Sequence, residues 1–257
     1  MIRMQALRIM LLAIVGTATC SLAANWDDYG DLRYSIGLPG NGFGVTNDGT
    51  TGFGGALHLG IPCAYTPAAG NYSGSYVVSS RDHALRFGFR GLDINGTGHL
   101  GIGMGNPGNG LYISHTFVEE RLSVNCWNVQ YQLLSENAHC PAVAIGVLDL
   151  LNERIGRGRA AHGGRSFYAV ASKEIVPGHK PLFGSAGIGT DRFHGGFAGL
   201  SWYPWERVNL GMEYDGFFIQ PQLAYEILAA DAWSVIGTCG WSNFEYPLLG
   251  LTVTFGR

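Results

Sequence analysis

The chain has 257 residues, which fits one large all-β domain or two small ones. Only 14% of the residues are charged, against about 25% in typical soluble domains, while 46% are hydrophobic. The 40 glycines show no G-X-Y period, which excludes a collagen-like fold, and the net charge of −3 gives no reason to expect a nucleic-acid partner.

The first residues have the features of a secretory signal peptide. Arg3 and Arg8 give a positive start, residues 9–15 form a short apolar run, and residues 21–23 (SLA) match a small-x-small cleavage site. The apolar run is too short to span a bilayer, which takes about 20 residues. We therefore predict a signal peptide over residues 1–23 and a single exported domain over residues 24–257.

The rest of the chain alternates apolar and polar residues with a period of two, which indicates β-strands. Strands are predicted near residues 84–91, 97–104 and 111–118, separated by turn-forming sequences around 93–96 and 106–110. The last strand is the clearest, because Leu249, Leu251, Val253 and Phe255 share one face. Connections this short join antiparallel neighbours, since parallel strands need long crossovers.

After the signal peptide no run of 18 apolar residues occurs, so a membrane-inserted form of the chain must be a closed barrel. Aromatic residues cluster near strand ends, where membrane barrels carry aromatic girdles. The predicted membrane-interface residues are Trp202, Tyr203, Trp205, Trp233 and Trp241. We predict an all-β fold, an antiparallel up-and-down transmembrane β-barrel of about 12 strands (about 10 to 14) in the bacterial outer membrane.

Some charged residues of the predicted strands are expected to point into the barrel lumen. They are Arg86, Arg90, Glu213, Asp215 and Glu226. The lumen of a barrel with about 12 strands is narrow enough for side chains to fill it. The sequence therefore favours a closed or weakly conducting barrel.

Four cysteines follow the signal peptide, and an exported chain meets an oxidising compartment. Four cysteines allow three full pairings, which the sequence cannot separate. Cys126 and Cys140 are the nearest pair and are the candidate disulfide, formed across one hairpin.

A basic, glycine-rich segment over residues 154–165 interrupts the strand pattern and is predicted to be a long loop. It carries Arg154, Arg157, Arg159, His162 and Arg165. Guanidinium groups pair bidentately with phosphate and carboxylate. This loop is the predicted binding site for an acidic polysaccharide or for lipopolysaccharide, with a solvated loop that binds nothing as the alternative.

No catalytic, cofactor or metal motif stands out. The G-x-G-x-x-G match at 103–108 contains a proline and is followed by a strand, so a hairpin turn is predicted there. The histidines show no metal-ligand spacing, and no metal or cofactor is expected. Ser114 with His115, and Ser80 with His83, are formal nucleophile–base candidates, but no third group accompanies either pair, so we expect no enzyme.

Five blocks of sequence carry a family resemblance. They are residues 60–65 (GIPCAY), 141–149 (PAVAIGVLD), 168–173 (YAVASK), 187–189 (GIG) and 210–216 (LGMEYDG). In this order they resemble the motifs of the YjbH-like family, outer-membrane barrels associated with exopolysaccharide production. Cys63 and Phe167 depart from the family pattern, which often has threonine and glutamate there. The resemblance implies an exported barrel with an envelope function and supplies no catalytic residue.

Three functional hypotheses follow. The first is a non-enzymatic outer-membrane barrel linked to exopolysaccharide secretion or envelope architecture, with outer-membrane lipid, acidic polysaccharide or envelope export proteins as partners. The second is a porin-like outer-membrane channel for small solutes. The third is a secreted, soluble β-sandwich that binds glycans.

Overall fold

The fold is taken from a computed structural model that describes residues 37–79, 96–106, 108–119, 123–152, 165–242, 244 and 246–256. The predicted signal peptide lies outside these residues. No helix in the described part of the chain is long and apolar enough to cross a membrane.

Fourteen strands form in chain order, and the first two are very short. Strands β1 (Gly44–Val45) and β2 (Thr51–Gly52) pair with each other in a small hairpin. The other twelve are β3 (Tyr72–Ser79), β4 (Gly96–Asn106), β5 (Asn109–Glu119), β6 (Ser123–Leu134), β7 (Ala142–Leu148), β8 (Ser166–Val176), β9 (Leu182–Gly189), β10 (Phe197–Trp205), β11 (Val208–Tyr214), β12 (Ile219–Ala230), β13 (Trp233–Ser242) and β14 (Tyr246–Phe255). A 3-10 turn, Asp191–Phe193, lies between β9 and β10.

Strands β3 to β14 form one closed barrel in which each strand pairs antiparallel with its neighbour in sequence. The barrel closes where β14 pairs with β3, with Phe255 opposite Tyr72 and Leu248 opposite Ser79. Closure leaves no unpaired sheet edge, which is the condition for a sheet to span a bilayer. The twelve-stranded up-and-down barrel predicted from the two-residue period is confirmed.

The two faces of the barrel differ in chemistry. Large apolar side chains cover the outside, including Leu100, Met104, Tyr131, Ile145, Phe167, Ile188, Met212, Leu223, Leu251 and Phe255. Serine, threonine, asparagine and glutamine side chains cover the inside, and most of them are buried. An apolar exterior around a polar interior is the pattern of an outer-membrane barrel and the reverse of a soluble sandwich.

The two ends of the barrel have different connections. Short turns join β4 to β5, β10 to β11 and β12 to β13 at one end, which we call the turn end. The two longest connections, between β3 and β4 and between β7 and β8, lie at the other end, the loop end. In bacterial outer-membrane barrels short turns face the periplasm and long loops face outwards, so the turn end is the periplasmic end.

Residues 37–71 form none of the barrel strands. This segment, called the plug below, lies inside the barrel and supplies much of the buried apolar core, such as Leu38, Phe43, Leu57, Ile61 and Tyr65. The lumen is therefore filled mainly by a separate piece of chain and only partly by side chains of the wall.

One of the five predicted membrane-interface aromatics faces the lumen and not the membrane. Trp202, Trp205, Trp233 and Trp241 are exposed on the barrel surface, but Tyr203 is only 5% exposed and its hydroxyl donates to the plug at Gly55 O (2.8 Å). Neighbouring residues of a strand point to opposite faces, so Trp202 and Tyr203 cannot both face lipid.

The predicted disulfide between Cys126 and Cys140 is also wrong, because the two cysteines lie near opposite ends of the barrel. Cys126 is buried near the start of β6, whereas Cys140 is exposed in the connection that follows the end of this strand at Leu134. The eight residues from Cys126 to Leu134 span roughly 26 Å at strand rise, and a disulfide requires Cα atoms within about 7 Å.

Candidate functional site in the barrel lumen

The plug is a folded unit with its own hydrogen bonds. Its first half runs beside its second half: Gly42 N donates to His58 O, His58 N donates to Gly40 O, and Cys63 N donates to Pro39 O, each at 2.8 Å. The Asn41 side chain also donates to Ile61 O at 2.8 Å. These bonds satisfy backbone groups that would otherwise be orphaned in the lumen, and only the end of the plug pairs with a barrel strand, where Ala69 N donates to Gly105 O and Asn71 O accepts from Gly103 N.

At the turn end the plug forms the β1–β2 hairpin. The Asp48 carboxylate accepts hydrogen bonds from the Thr46 hydroxyl and, at 3.1 Å, from Thr50 N. The Thr46 hydrogen bond holds the pKa of Asp48 below its usual value, so this carboxylate stays ionised at neutral pH and fixes the turn.

Polar side chains of β6, β8 and β9 hold one side of the plug. Gln132 Oε1 accepts from Thr66 N at 2.9 Å, and Gln130 Nε2 donates to Cys63 O at 3.0 Å. Ser172 Oγ accepts from Ala64 N at 2.8 Å, and Ser185 Oγ lies 2.9 Å from His58 Nε2. Ser114 of β5 also holds the plug, because its hydroxyl donates to Gly37 O.

Glu213 on β11 holds the tip of the plug. Its two carboxyl oxygens accept from Leu59 N at 2.9 Å and from Gly60 N at 2.6 Å, and its side chain is fully buried. Two successive backbone amides at the tip of the plug are therefore held by one wall side chain.

Glycines of the wall make room for the plug. A Cβ atom on Gly199 would stand 2.7 Å from Ile61 Cδ1 and 2.9 Å from His58 Nδ1, and one on Gly240 would stand 2.5 Å from Leu59 Cδ1. At such distances a larger residue would force the side chains of the plug to shift, so glycine at these positions lets the plug lie close to the wall. The wall and the plug are therefore fitted to each other in this closed arrangement.

At the turn end Glu136, in the β6–β7 connection, ties the plug to the rim. The Tyr65 hydroxyl of the plug donates to Glu136, whose carboxylate also lies 3.4 Å from Lys173 Nζ and accepts from Glu174 N at 3.1 Å. The side chains of Lys173 and Glu136 are 21% and 11% exposed, so this ion pair is partly shielded from water.

At the loop end a buried ion pair fixes two connections to each other. Arg192 Nη2 lies 3.2 Å from Asp215 Oδ2, both side chains are fully buried, and Gln220 Nε2 donates to the same carboxylate oxygen at 2.6 Å. The Arg192 guanidinium also lies 5.1 Å from the ring centre of Phe217. Asp215 was expected to face the lumen, and in the structure it is buried in this cap over the lumen.

The predicted nucleophile–base pair Ser114–His115 does not form. Ser114 is buried in the lumen, whereas the His115 ring packs outside against Trp127 with ring centres 4.9 Å apart. Ser80 and His83 lie outside the described residues.

Another serine, histidine and carboxylate do come together inside the barrel. His58 Nε2 contacts Ser185, and His58 Nδ1 lies 3.9 Å from Glu213 Oε2, beyond hydrogen-bond distance. All three are buried under the plug to which His58 belongs, and both Glu213 oxygens are already used by backbone amides. This cluster holds the plug in place and has neither the geometry nor the access of a nucleophilic site.

The described residues test only part of the predicted binding loop. Arg154, Arg157, Arg159 and His162 lie outside them, while Arg165 is exposed and its backbone amide donates to Asn152 Oδ1 at 3.3 Å. Binding of an acidic glycan by this loop stays a prediction. Arg86 and Arg90 also lie outside, and Glu226 is half-buried near the turn end, where it accepts from Ser234 Oγ at 2.9 Å.

Sequence reasoning missed the plug and the wall residues that hold it. The plug combines high apolar content with closely spaced glycine and proline and has no two-residue alternation, and this combination was its only signal. The wall residues carry a clearer signal, because serine, threonine, asparagine and glutamine recur on the face opposite the apolar residues of each strand.

No family model and no curated protein matches the sequence. Among solved structures, the KdgM porin in complex with disordered oligogalacturonate matches with a TM-score of 0.50 and 9% identity, covering 73% of this chain and 99% of that one. A second KdgM porin structure gives a TM-score of 0.47 at 11% identity, covering 72% and 99%. Omp33 of Acinetobacter baumannii gives 0.42 at 10% identity, covering 73% and 97%. At these identities the first match supports the fold alone.

Proposed function

We propose that this protein is an outer-membrane channel for small solutes that is closed, in the present conformation, by the plug. The observation that supports it is the chemistry of the wall. Hydroxyl and amide side chains cover the inside of most barrel strands, as an aqueous path requires, but a separate piece of chain occupies the space between them. A barrel with only an architectural role can fill its lumen with wall side chains instead.

The bonds between plug and wall are suited to reversible closure. They are mostly single hydrogen bonds from short polar side chains to the plug backbone, such as those of Ser172, Ser185 and Gln130. Each contributes only about 1 kcal/mol, and water can replace each of them when the plug moves. The barrel is similar in fold to a porin, which agrees with this function.

The test is conductance of the full-length protein in planar lipid bilayers. We expect rare or small openings for the wild type and an increased open probability for Glu213→Ala, which removes both acceptors of the plug tip. Glu206→Ala is the matched control, because Glu206 is exposed in the turn between β10 and β11, and it should behave like wild type. If Glu213→Ala folds and inserts but stays as silent as the control at every voltage, the protein is not a channel.

We propose a link to exopolysaccharide export as the second candidate, because the blocks that resemble the YjbH-like family meet in space. Ala64 of the first block donates to Ser172 of the third, and Gly60 donates to Glu213 of the last. These contacts between plug and wall support the proposal, because they join residues of the blocks that resemble the family. A deletion strain should secrete less exopolysaccharide, and restoration should require a plasmid copy with an intact plug; unchanged secretion would leave only the channel.

A further inference from the structure

One side of the plug packs against the barrel without side-chain hydrogen bonds to it. Among the described residues, no side chain of β13 or β14 hydrogen-bonds to the plug, in contrast to β6, β8, β9 and β11. Instead, the hydroxyls of Thr238, Thr252 and Thr254 point inwards, are at most 5% exposed and have no hydrogen-bond partner in the described part of the chain. A buried hydroxyl without a partner costs free energy, so the closed state is weakest along these two strands.

These hydroxyls form a continuous track on the inner wall. The pairing of β13 with β14 places Ser234 opposite Thr254, while Thr252 follows two residues earlier on β14 and Thr238 lies further towards the loop end. The plug approaches this hydroxyl track most closely at Gly42, where an added Cβ would stand 2.7 Å from Thr252 Oγ1. Gly42 has a φ of 77°, a conformation that favours glycine. Its backbone therefore lies against the hydroxyl track with no side chain between them.

A cleft opens at the turn end of the same track. Its cavity of about 290 Å³ lies between the plug hairpin, at Thr50 and Phe53, and the barrel rim, at Trp233 and Ser234. Ser234 belongs both to the cleft and to the hydroxyl track. Solvent at the periplasmic end thus reaches the start of the side of the plug that faces β13 and β14.

The chemistry of the cleft selects an uncharged, hydroxyl-rich molecule. Trp233 lies at the rim of the cleft on the outer face of the barrel, so the hydroxyls of Thr46, Thr50 and Ser234 supply the recognition of a ligand. These hydroxyls can both donate and accept hydrogen bonds. The charged lining residues of the cleft are Glu226 and Asp231, and no lysine or arginine lines it, so an acidic sugar would be repelled.

We infer that the cleft and the hydroxyl track together form a binding path for neutral oligosaccharides, which enter between the plug and strands β13 and β14. The inference rests on the proposed channel function only for the inner part of the path. The cleft is open in the closed barrel and binds sugar there independently of conduction.

The first measurement is calorimetric titration of the full-length protein with maltotriose and with trigalacturonate, in a detergent without a sugar headgroup. Maltotriose should bind, and trigalacturonate should bind at least about tenfold more weakly. Ser234→Ala removes the hydroxyl that the cleft and the hydroxyl track share, and should weaken maltotriose binding about threefold to tenfold. Thr116→Val is the control, because Thr116 is a buried lumen hydroxyl on β5 outside the cleft, and it should leave binding unchanged. Equal effects of the two variants, or stronger binding of trigalacturonate, would overturn the assignment.

The second measurement uses the Glu213→Ala barrel in planar bilayers with maltotriose added on the turn-end side. Replacing Thr252 and Thr254 with valine keeps their shape and removes the hydroxyls, and should shorten sugar-induced current blocks about threefold to tenfold. Thr116→Val is the control, because Thr116 is a buried lumen residue on β5 that already accepts from Asn128 at 2.9 Å. If the barrel conducts but the valine replacements on β14 change nothing, the sugar path along the hydroxyl track is wrong and the channel function stands. If sugar binds but no variant conducts, the channel function is wrong and the binding site in the cleft stands.

Discussion

At the scale of single residues, the strongest interactions lie where polar groups are buried and paired. Arg192 and Asp215 are fully buried, and Asp215 also accepts from Phe217 N at 2.9 Å and from Phe218 N at 2.8 Å. One residue thus fixes the turn between β11 and β12 and holds the arginine of the preceding loop. Sequence patterns could show that Asp215 lies at a turn, but they could not show its partner 23 residues away.

Removing one member of this pair should destabilise the barrel strongly. Arg192→Met leaves the Asp215 carboxylate buried without its counter-charge, and we expect the free energy of unfolding to fall by about 3–5 kcal/mol. The measurement is urea unfolding in detergent micelles, followed by tryptophan fluorescence. Arg207→Met, in the exposed turn between β10 and β11, should change stability by less than about 0.5 kcal/mol. Equal stability of the two variants would mean that the ion pair does not hold the loop end together.

At the scale of strands, the sequence predicted well wherever one face meets lipid. The two-residue period located β4, β5, β13 and β14, because lipid demands apolar side chains at every second position. The two-residue period did not reveal the structure of residues 37–71. The plug is surrounded by the wall on all sides, so it has no lipid-facing side on which apolar residues would alternate with polar ones. Tyr203 was misplaced for a related reason: an aromatic residue suits the membrane interface and the plug contact equally well, and only the register of β10 decides.

The plug and the barrel should move relative to each other along β14. An added Cβ on Gly42 would stand 4.0 Å from Thr252 Cβ, within the spacing of a disulfide, so Gly42→Cys with Thr252→Cys can lock the side of the plug that faces β14. In the Glu213→Ala background we expect the oxidised pair to abolish conductance and a reducing agent to restore it. Each single cysteine variant serves as the control for strain at Gly42, whose φ is 77°. If conductance persists after complete oxidation, solutes do not pass between the plug and β14.

At the scale of the whole molecule, the barrel has two unlike ends, and the connections set its orientation in the membrane. Long connections gather at the end closed by Arg192 and Asp215, whereas the cleft and the Glu136 contacts lie at the end with the short turns. The apolar outer face makes the closed sheet a membrane barrel, and the rule that short turns face the periplasm then places the sugar cleft on the periplasmic side.

This orientation can be tested with a cysteine that the chain already carries. Cys140 is exposed in the β6–β7 connection at the turn end, whereas Cys63 and Cys126 are buried. In a Cys239→Ser background, a membrane-impermeant maleimide should leave intact cells unlabelled and should label Cys140 after the outer membrane is permeabilised. His194→Cys, exposed at the loop end and combined with Cys140→Ser, should show the opposite behaviour and react in intact cells. Labelling of Cys140 in intact cells, with His194→Cys protected, would invert the barrel, and the sugar cleft would then face the medium and serve uptake.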